Sequence, residues 1–323
     1  MLVIVVLVTL GLLIRWWPLE FIVSYTPQLL VLLWVYLMVY AVLATWYMFV
    51  NGAKIYKERV GIFSTATLFV AIFVGVYALA HSLNAVAALD IQDELSLSSE
   101  RLTVGTFNKL YKSTNFVEDS NLITASRIDV FSLQEVKEAE IKLLSDRVNH
   151  PYTYLTDCDC SADDTEVGLI SRYPIINAQT IYEHENAVIA RTLISSEEHG
   201  DFVVYLVHMH VPYESSSYNL RKRAFKTLTD AANNETLPTF AVGDFNTTVF
   251  SPDMQNFSSN ADTMINVVSR SWPRCSWFGT KLGELACARI DYVFAPVESN
   301  IYSMEIGEQD FSDHRSVIVE VSL

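Results

Sequence analysis

Two long runs without Asp, Glu, Lys or Arg restrict this chain more than anything else in it. Pro27–Val50, PQLLVLLWVYLMVYAVLATWYMFV, covers 24 residues, and Gly61–Leu89 covers 29. Each exceeds the roughly 20 residues that carry a helix across a bilayer. Met1–Trp17 is a third apolar stretch, broken only by Arg15. It is shorter, but Trp16 and Trp17, with Trp46 and Tyr47 further on, suit the membrane interface. A helix buried in a soluble core normally keeps a polar face, and these runs have none. Met1–Trp17 also lacks the basic start and small-residue cleavage site of a signal peptide. The expectation is three transmembrane helices within residues 1–89.

The loop NGAKIYKERV, between the second and third spans, holds Lys54, Lys57 and Arg59 against Glu58. The loop before the second span offers only Arg15 and Glu20. Basic loops stay in the cytoplasm, so the third helix would lead the chain outward. Asp90–Glu100, DIQDELSLSSE, is polar, acidic and without apolar period, and reads as a linker. Residues 101–323 are then enough for one globular domain with a large core. Of 22 basic and 37 acidic residues in the chain, four and two precede residue 90, so the remainder carries a net charge of −17. Such a surface repels phosphate polymers at long range, which argues against avid, sequence-blind DNA binding. All four cysteines, Cys158, Cys160, Cys275 and Cys287, lie in the outer domain. An even count in an oxidising compartment suggests disulfides, either across the two clusters or between Cys275 and Cys287. A zinc site built on the CxC pair is the other reading.

Within the outer domain, short apolar runs alternate with helical patterns. Strands are expected at Leu102–Phe107, Val130–Leu133, Val167–Ser171, Ala187–Ile194, Phe202–His210, Thr239–Val242, Arg289–Phe294 and Ser316–Val321. Helices are expected at Asn121–Ser126, Glu138–Val148 and Tyr218–Ala232, and a hairpin through SSEEHGD. That mixture is an α/β domain. No internal repeat and no glycine-rich nucleotide-binding loop accompanies it.

The strand ends are unusually polar. GTFN finishes on Asn108, VFSLQE on Gln134 and Glu135, VVYLVHMH on His208 and His210, and AVGDFN on Asp244 and Asn246. RIDY contributes Asp291, and FSDHRS contributes Asp313 and His314. Six such endings imply convergence on one cleft. Side chains on a strand alternate faces, so Asp244 and Asn246 should point the same way. Gly243 removes a side chain where another backbone or a ligand must come close.

These six stretches, in this order from Leu102 to Val321, resemble the endonuclease/exonuclease/phosphatase superfamily of DNase I-like metal phosphoesterases. The layout with three leading helices also resembles a membrane-anchored bacterial group within it. The resemblance implies a four-layer sandwich, two mixed β-sheets flanked by helices, with its site at the open edge. It implies Mg²⁺, with Mn²⁺ as a substitute, held by Glu135, Asn108 and Asp313; hard cations take oxygen ligands. His314 would activate water or stabilise the phosphoryl group, with Asp291 fixing its far nitrogen. Asp244 and Asn246 would flank the scissile phosphate, and His210 would donate to it, with Asn108 also near the substrate. His208, two positions earlier, would lie deeper. After Asn108 the chain has Leu110 where some family nucleases place an acid. Arg172 and Arg191 are either phosphate contacts or structural ion-pair partners. The basic run Arg221, Lys222, Arg223 and Lys226 reads as a solvated helix face.

The whole sequence reads as a multi-pass protein of the bacterial inner membrane with a periplasmic phosphoesterase domain. Its partners would be the bilayer and a phosphoester substrate, with no protein partner expected. A lipid or envelope phosphodiester is the favoured substrate, and DNA or RNA the alternative. A non-catalytic module keeping the same fold is the alternative of another class.

Overall fold

The computed structural model describes residues 17–51, 101–113, 128–157, 166–184, 187–267, 275–277, 287–307 and 312–323. The chain divides into two compact units, Met1–Ala87 with Val249–Pro252, and Ala88–Thr248 with Asp253–Leu323.

In the first unit, α1 (Trp17–Ser24) is 8 residues long, and α2 (Thr26–Asn51) is 26 residues long with no charged residue. Among the described residues no helix qualifies as a membrane span. The three expected transmembrane helices are therefore not established here. Only Pro27–Val50 falls within a described helix. Met1–Trp17, except Trp17 itself, and the whole of Gly61–Leu89 lie outside the described residues.

The second unit is built on two six-stranded sheets. The strands are β1 (Leu102–Asn108), β2 (Val130–Gln134), β3 (Tyr152–Leu155), β4 (Val167–Ser171), β5 (Ile175–His184) and β6 (Ala187–Ser196). They continue with β7 (Gly200–His208), β8 (Thr239–Asp244), β9 (Met264–Asn266), β10 (Asp291–Pro296), β11 (Asn300–Ile306) and β12 (Val317–Ser322). One sheet runs β11-β12-β1-β2-β4-β3 and the other β5-β6-β7-β8-β10-β9. The sheets are mixed: β1 pairs parallel with β2 and β7 with β8, while the other pairings are antiparallel.

Alternation sorts the side chains into layers. Leu102 and Val104 of β1, Val130 of β2, Phe202, Val204 and Leu206 of β7, and Phe240 and Val242 of β8 fill the space between the sheets. The intervening residues of β1 and β2, Phe107, Phe131 and Leu133, face outward and are covered by Ile141 and Leu144 of α3 (Glu138–Val148). Asn149 ends α3 in the left-handed conformation, φ 57°, a common helix stop. On the other side, Phe225 of α4 (Ser215–Asn233) packs on Phe245, and Phe257 of α5 (Pro252–Asn260) packs on Phe245 and Phe294, with Phe257 and Phe294 centroids 4.9 Å apart. Central strands buried on both faces read in sequence as nearly continuous apolar runs, which is why all eight expected strands are present within a few residues. The hairpin through SSEEHGD joins β6 to β7, and the expected helices at Glu138–Val148 and Tyr218–Ala232 correspond to α3 and α4. Asn121–Ser126 lies outside the described residues.

The layering also places the site. On the inter-sheet face, the apolar alternation of five strands gives way to a polar residue at the same end. These residues are Asn108, Gln134, His208, Asp244 and Asp291. For the parallel strands β1, β2, β7 and β8 this is the C-terminal end. For β10, antiparallel to β8, it is the first residue, and Asp291 stands directly opposite Asp244 in the ladder.

Candidate active site

Local backbone geometry turns the polar ends toward one another. Gly243 has φ 146°, and a Cβ there would lie 1.9 Å from the Val207 carbonyl oxygen. The close approach inferred from this glycine is therefore to the neighbouring strand. Glu135, the residue after β2, adopts φ 58°, which breaks the strand alternation and lets it join Asn108. Asn246 reaches the site differently from expectation. It is not in the strand: β8 stops at Asp244, and Asn246 has φ 49°. Its backbone N–H donates to Asp244 Oδ1 at 2.8 Å, so a turn, not strand alternation, brings the two together.

The side chains form one connected network. Asn108 Nδ2 donates to Glu135 Oε1 at 3.0 Å and to Asp244 Oδ2 at 3.1 Å. Its oxygen accepts the Leu110 N–H at 3.0 Å. The amide of Asn108 thus bridges two carboxylates, and its oxygen accepts one bond from the backbone. Glu135 Oε2 accepts the Tyr111 N–H at 2.8 Å. His314 Nδ1 lies 2.9 Å from Asp291 Oδ2, while Nε2 is 3.7 Å from Asp244 Oδ2 and 4.0 Å from Asp313 Oδ1. Ser312 ties this loop to β1 by donating to the Asn108 carbonyl at 2.8 Å and accepting the His314 N–H at 3.0 Å.

Burial and charge shift two of these groups. Burial, then the Asp291 carboxylate beside it, pushes Asp244 up to about 8; His314, the Asn246 N–H and the Asn108 amide oppose that rise. Burial works against a charged imidazole at His314, but the charge and hydrogen bond of Asp291, with Asp244 and Asp313 behind them, outweigh it and raise His314 to about 10.

Two groupings of acids could accommodate a cation. Asp244, Asp291 and His314 offer donor atoms within 4.8 Å of one another. Asp313 supplies a different signal: its Oδ1 is buried without a hydrogen-bond partner, while Oδ2 accepts from Trp277 Nε1 at 2.9 Å. A buried carboxylate oxygen without a hydrogen bond, 4.0 Å from His314 Nε2, suits a hard divalent cation.

Asn108, Glu135, Asp244, Asp291, Asp313 and His314 therefore come together as the sequence implied. His210 packs its ring edge-on to His184 with centroids 6.2 Å apart. His208, read as the deeper of the two, places Nε2 at 3.9 Å from Glu135 Oε1. Asn246 Nδ2 donates to the Met209 carbonyl at 2.7 Å. Arg172 and Arg191 resolve as structural partners of Asp129 and Glu235.

Arg221 overturns its reading as a solvated residue. It is fully buried and donates through Nη1 to the Asn246 carbonyl at 2.8 Å. The apolar positions Tyr218, Phe225 and Leu228, at helical spacing around it, were the signal that it faces inward. Ser276 and Trp277 belong to no motif and were missed, as was His184. Cys275 and Cys287 form a disulfide, one of the pairings considered, and Cys158 and Cys160 lie outside the described residues.

The model of the Endonuclease/Exonuclease/phosphatase family matches residues 115–314. The chain belongs to that family. Its activity class, a phosphoesterase hydrolase, follows from that membership. No curated protein matches the chain in sequence. Among solved structures, an endonuclease/exonuclease/phosphatase from Bacteroides vulgatus is 16% identical with a TM-score of 0.59, covering 70% of this chain and 100% of its own. A mannosyl-6-phosphatase from Bacteroides thetaiotaomicron is 14% identical at 0.55, covering 69% and 100%. D. rerio TDP2 complexed with a single-strand DNA product is 13% identical at 0.57, covering 70% and 100%. At such identities the likeness is one of fold.

Proposed function

We propose that this protein is a membrane-anchored phosphodiesterase dependent on Mg²⁺, with Mn²⁺ as a substitute, acting outside the cytoplasm on a lipid or other envelope phosphoester. The observation that carries the catalytic part is the unbroken line Glu135–Asn108–Asp244–His314–Asp291.

Each member has a chemical task. Asp244, held near neutrality by burial and by Asp291, accepts a proton from the attacking water. His314 stays protonated at neutral pH and offers Nε2–H to a phosphoryl oxygen, stabilising charge as it develops. Asp291 accepts the opposite N–H and fixes the ring. Asn108 holds Glu135 and Asp244 in register, and Asn246 keeps one N–H beyond its bond to Met209 for the substrate. Glu135 and Asp313 would hold the cation, which when bound neutralises phosphoryl charge.

The anchoring rests on other support. Large apolar side chains of α2 stand exposed, including Trp34, Met38, Val42, Trp46 and Phe49 at 60, 67, 68, 67 and 86%. An apolar surface of that extent calls for an apolar surrounding, and a bilayer is the one its charge-free sequence fits. The basic loop at Lys54–Arg59 and the Cys275–Cys287 disulfide both favour a catalytic unit on the oxidising side. Tethering near lipid and the charge of −17 beyond residue 90 favour a lipid or envelope ester over nucleic acid.

Full-length protein in bilayer discs, assayed on a generic aryl phosphodiester with Mg²⁺, tests the reading. Chelator-sensitive turnover that disappears in Glu135→Ala and His314→Ala is expected. Anionic phospholipid micelles should be cleaved faster than single-stranded DNA; the reverse order would make the protein a nuclease. Folded, metal-binding protein inert on all three substrates would point to a binding module.

A further inference from the structure

A three-residue segment, Cys275–Ser276–Trp277, touches three site residues that are distant from it in sequence. Ser276 is fully buried, and its Oγ accepts the N–H groups of Ile290 and Asp291, both at 3.0 Å. Its carbonyl accepts the Arg315 N–H at 2.6 Å, immediately after His314. Trp277 makes an antiparallel bridge to Ala288 and another to His314. The first is a reciprocal pair, Trp277 N–H to the Ala288 carbonyl at 2.9 Å and Ala288 N–H to the Trp277 carbonyl at 3.0 Å. The indole Nε1–H reaches the carboxylate of Asp313 at 2.9 Å. Cys275 and Cys287, the residues directly before Ser276 and Ala288, are buried and joined by the disulfide.

We infer that Trp277 is a positioning residue for Asp313, and that the Cys275–Cys287 disulfide clamps the segment from which Ser276 and Trp277 align Asp291, Asp313 and His314. The inference rests on the reading of Asp313 as a cation ligand. The chemistry is specific. With Oδ2 bound to the indole N–H, Asp313 cannot rotate freely, and Oδ1, which makes no hydrogen bond, is held toward His314 Nε2. Partners of this kind orient a ligating carboxylate and raise metal affinity. Ser276 acts on a different atom set, fixing the backbone at Asp291 and so the bond from Asp291 to His314. The disulfide restrains both actions because it closes the ladder between residues 275 and 287.

Mn²⁺ binding to the full-length protein, measured by calorimetry with the metal alone, provides a readout separate from turnover. Trp277→Phe keeps the ring and removes the donor. It should weaken Mn²⁺ binding about tenfold and raise the Mg²⁺ needed for half-maximal turnover, with substrate KM unchanged. In an Asp313→Asn background the same change should add nothing to the loss. Ser276→Ala should lower kcat while leaving Mn²⁺ affinity in place. Cys275→Ala with Cys287→Ala should show both defects, in protein verified as folded by circular dichroism. Wild-type Mn²⁺ affinity in Trp277→Phe, or an equal loss in the Asp313→Asn background, overturns the role of Trp277. Wild-type affinity and kcat in the folded double-cysteine variant overturn the clamp. A wild-type protein that neither binds Mn²⁺ nor turns over ester overturns the functional reading itself, which separates that failure from this one.

Discussion

Where β2 begins, Asp129 accepts the Thr103 N–H and forms an ion pair with Arg172 at 2.8 Å; nearby on the second sheet, before β8 begins, Glu235 takes two bonds from Arg191 and one from Tyr205. Where the same strands finish, Glu135, Asp244, Asp291 and Asp313 gather, and His314 is ion-paired with Asp291 at 2.9 Å. Histidines pair with these acids, His314 with Asp291, Asp244 and Asp313 and His208 with Glu135, while buried Arg289 feels the charge of Asp291. Both ends bury carboxylates, and the difference lies in how they are compensated. Arginines match the acids of one end and hold Glu235 below the usual carboxylate range. At the other end acids are set against one another, so that burial and Asp291 raise Asp244 to about 8, an arrangement that suits the uptake of a cation. Stability and function are thus segregated along the strand direction.

Breaking the site end should cost catalysis far more than stability. Asp244→Asn keeps the size of the side chain and the acceptor for the Asn246 N–H, but it cannot take a proton. A fall in kcat of about 10²–10⁴-fold is expected, the usual worth of general base catalysis. Above about pH 8 and without the cation, the melting temperature should hold or rise, because an ionised carboxylate buried against Asp291 has been replaced by a neutral amide. Retained turnover in this variant would move the proton acceptor away from Asp244.

A smaller effect should appear in the pH dependence of stability, measured by thermal melts in chelator. Asp244 is raised from 3.8 to about 8 on folding, so its stabilising contribution is complete below about pH 4 and is lost as pH rises through about 8. His314 is raised from 6.5 to about 10, so its contribution is complete below about pH 6.5 and is lost as pH climbs through about 10. The two run in the same direction, and the cation-free protein should melt progressively lower from weakly acidic to alkaline pH. Asp244→Asn should flatten the part of this slope below pH 8. Mg²⁺ should restore stability most at high pH, where the acids are ionised. A pH-independent melt would deny the site end its electrostatic strain.

The same contrast explains what the sequence revealed. Strands at the middle of each sheet, such as Val167–Ser171, are buried on both faces and announce themselves as apolar runs. Edge strands do not: Tyr152–Leu155, Ile175–His184 and Asn300–Ile306 are half exposed, carry polar residues, and passed as loops. Met264–Asn266 and the helix Pro252–Asn260 were missed as short elements with mixed composition. The residues that do chemistry were legible because each interrupts an apolar strand at its end. The residues that hold them in place were not. Trp277 and Ser276 act through a backbone bridge, a hydroxyl and an indole N–H across many intervening positions, and no local spacing encodes that. Arg221 was hidden by its neighbours Lys222 and Arg223, although its helical register pointed inward. The amide turn at Asn246 could not be read either, since GDFN fits a continued strand as well as a turn.

The smallest expected effect belongs to the far end, and it sharpens the comparison by leaving the site alone. Arg172 is half exposed, with its side chain at 49%, so water screens much of its attraction to Asp129. Thr103 N–H still holds Asp129 when the arginine is gone. Arg172→Gln should therefore cost only about 0.5–1 kcal/mol, a drop in melting temperature of about 2–4 °C at most for a domain of this size. Burial already raises Asp129 against the pull of Arg172, so the carboxyl should rise further in the variant, and the loss should grow as pH rises and the carboxyl ionises. Turnover at saturating Mg²⁺ should stay within about twofold of wild type, the spread expected of a surface change far from the chemistry. A loss of kcat comparable to that of Asp244→Asn would mean that the two ends are coupled through the strands, and that the division of labour between them is wrong.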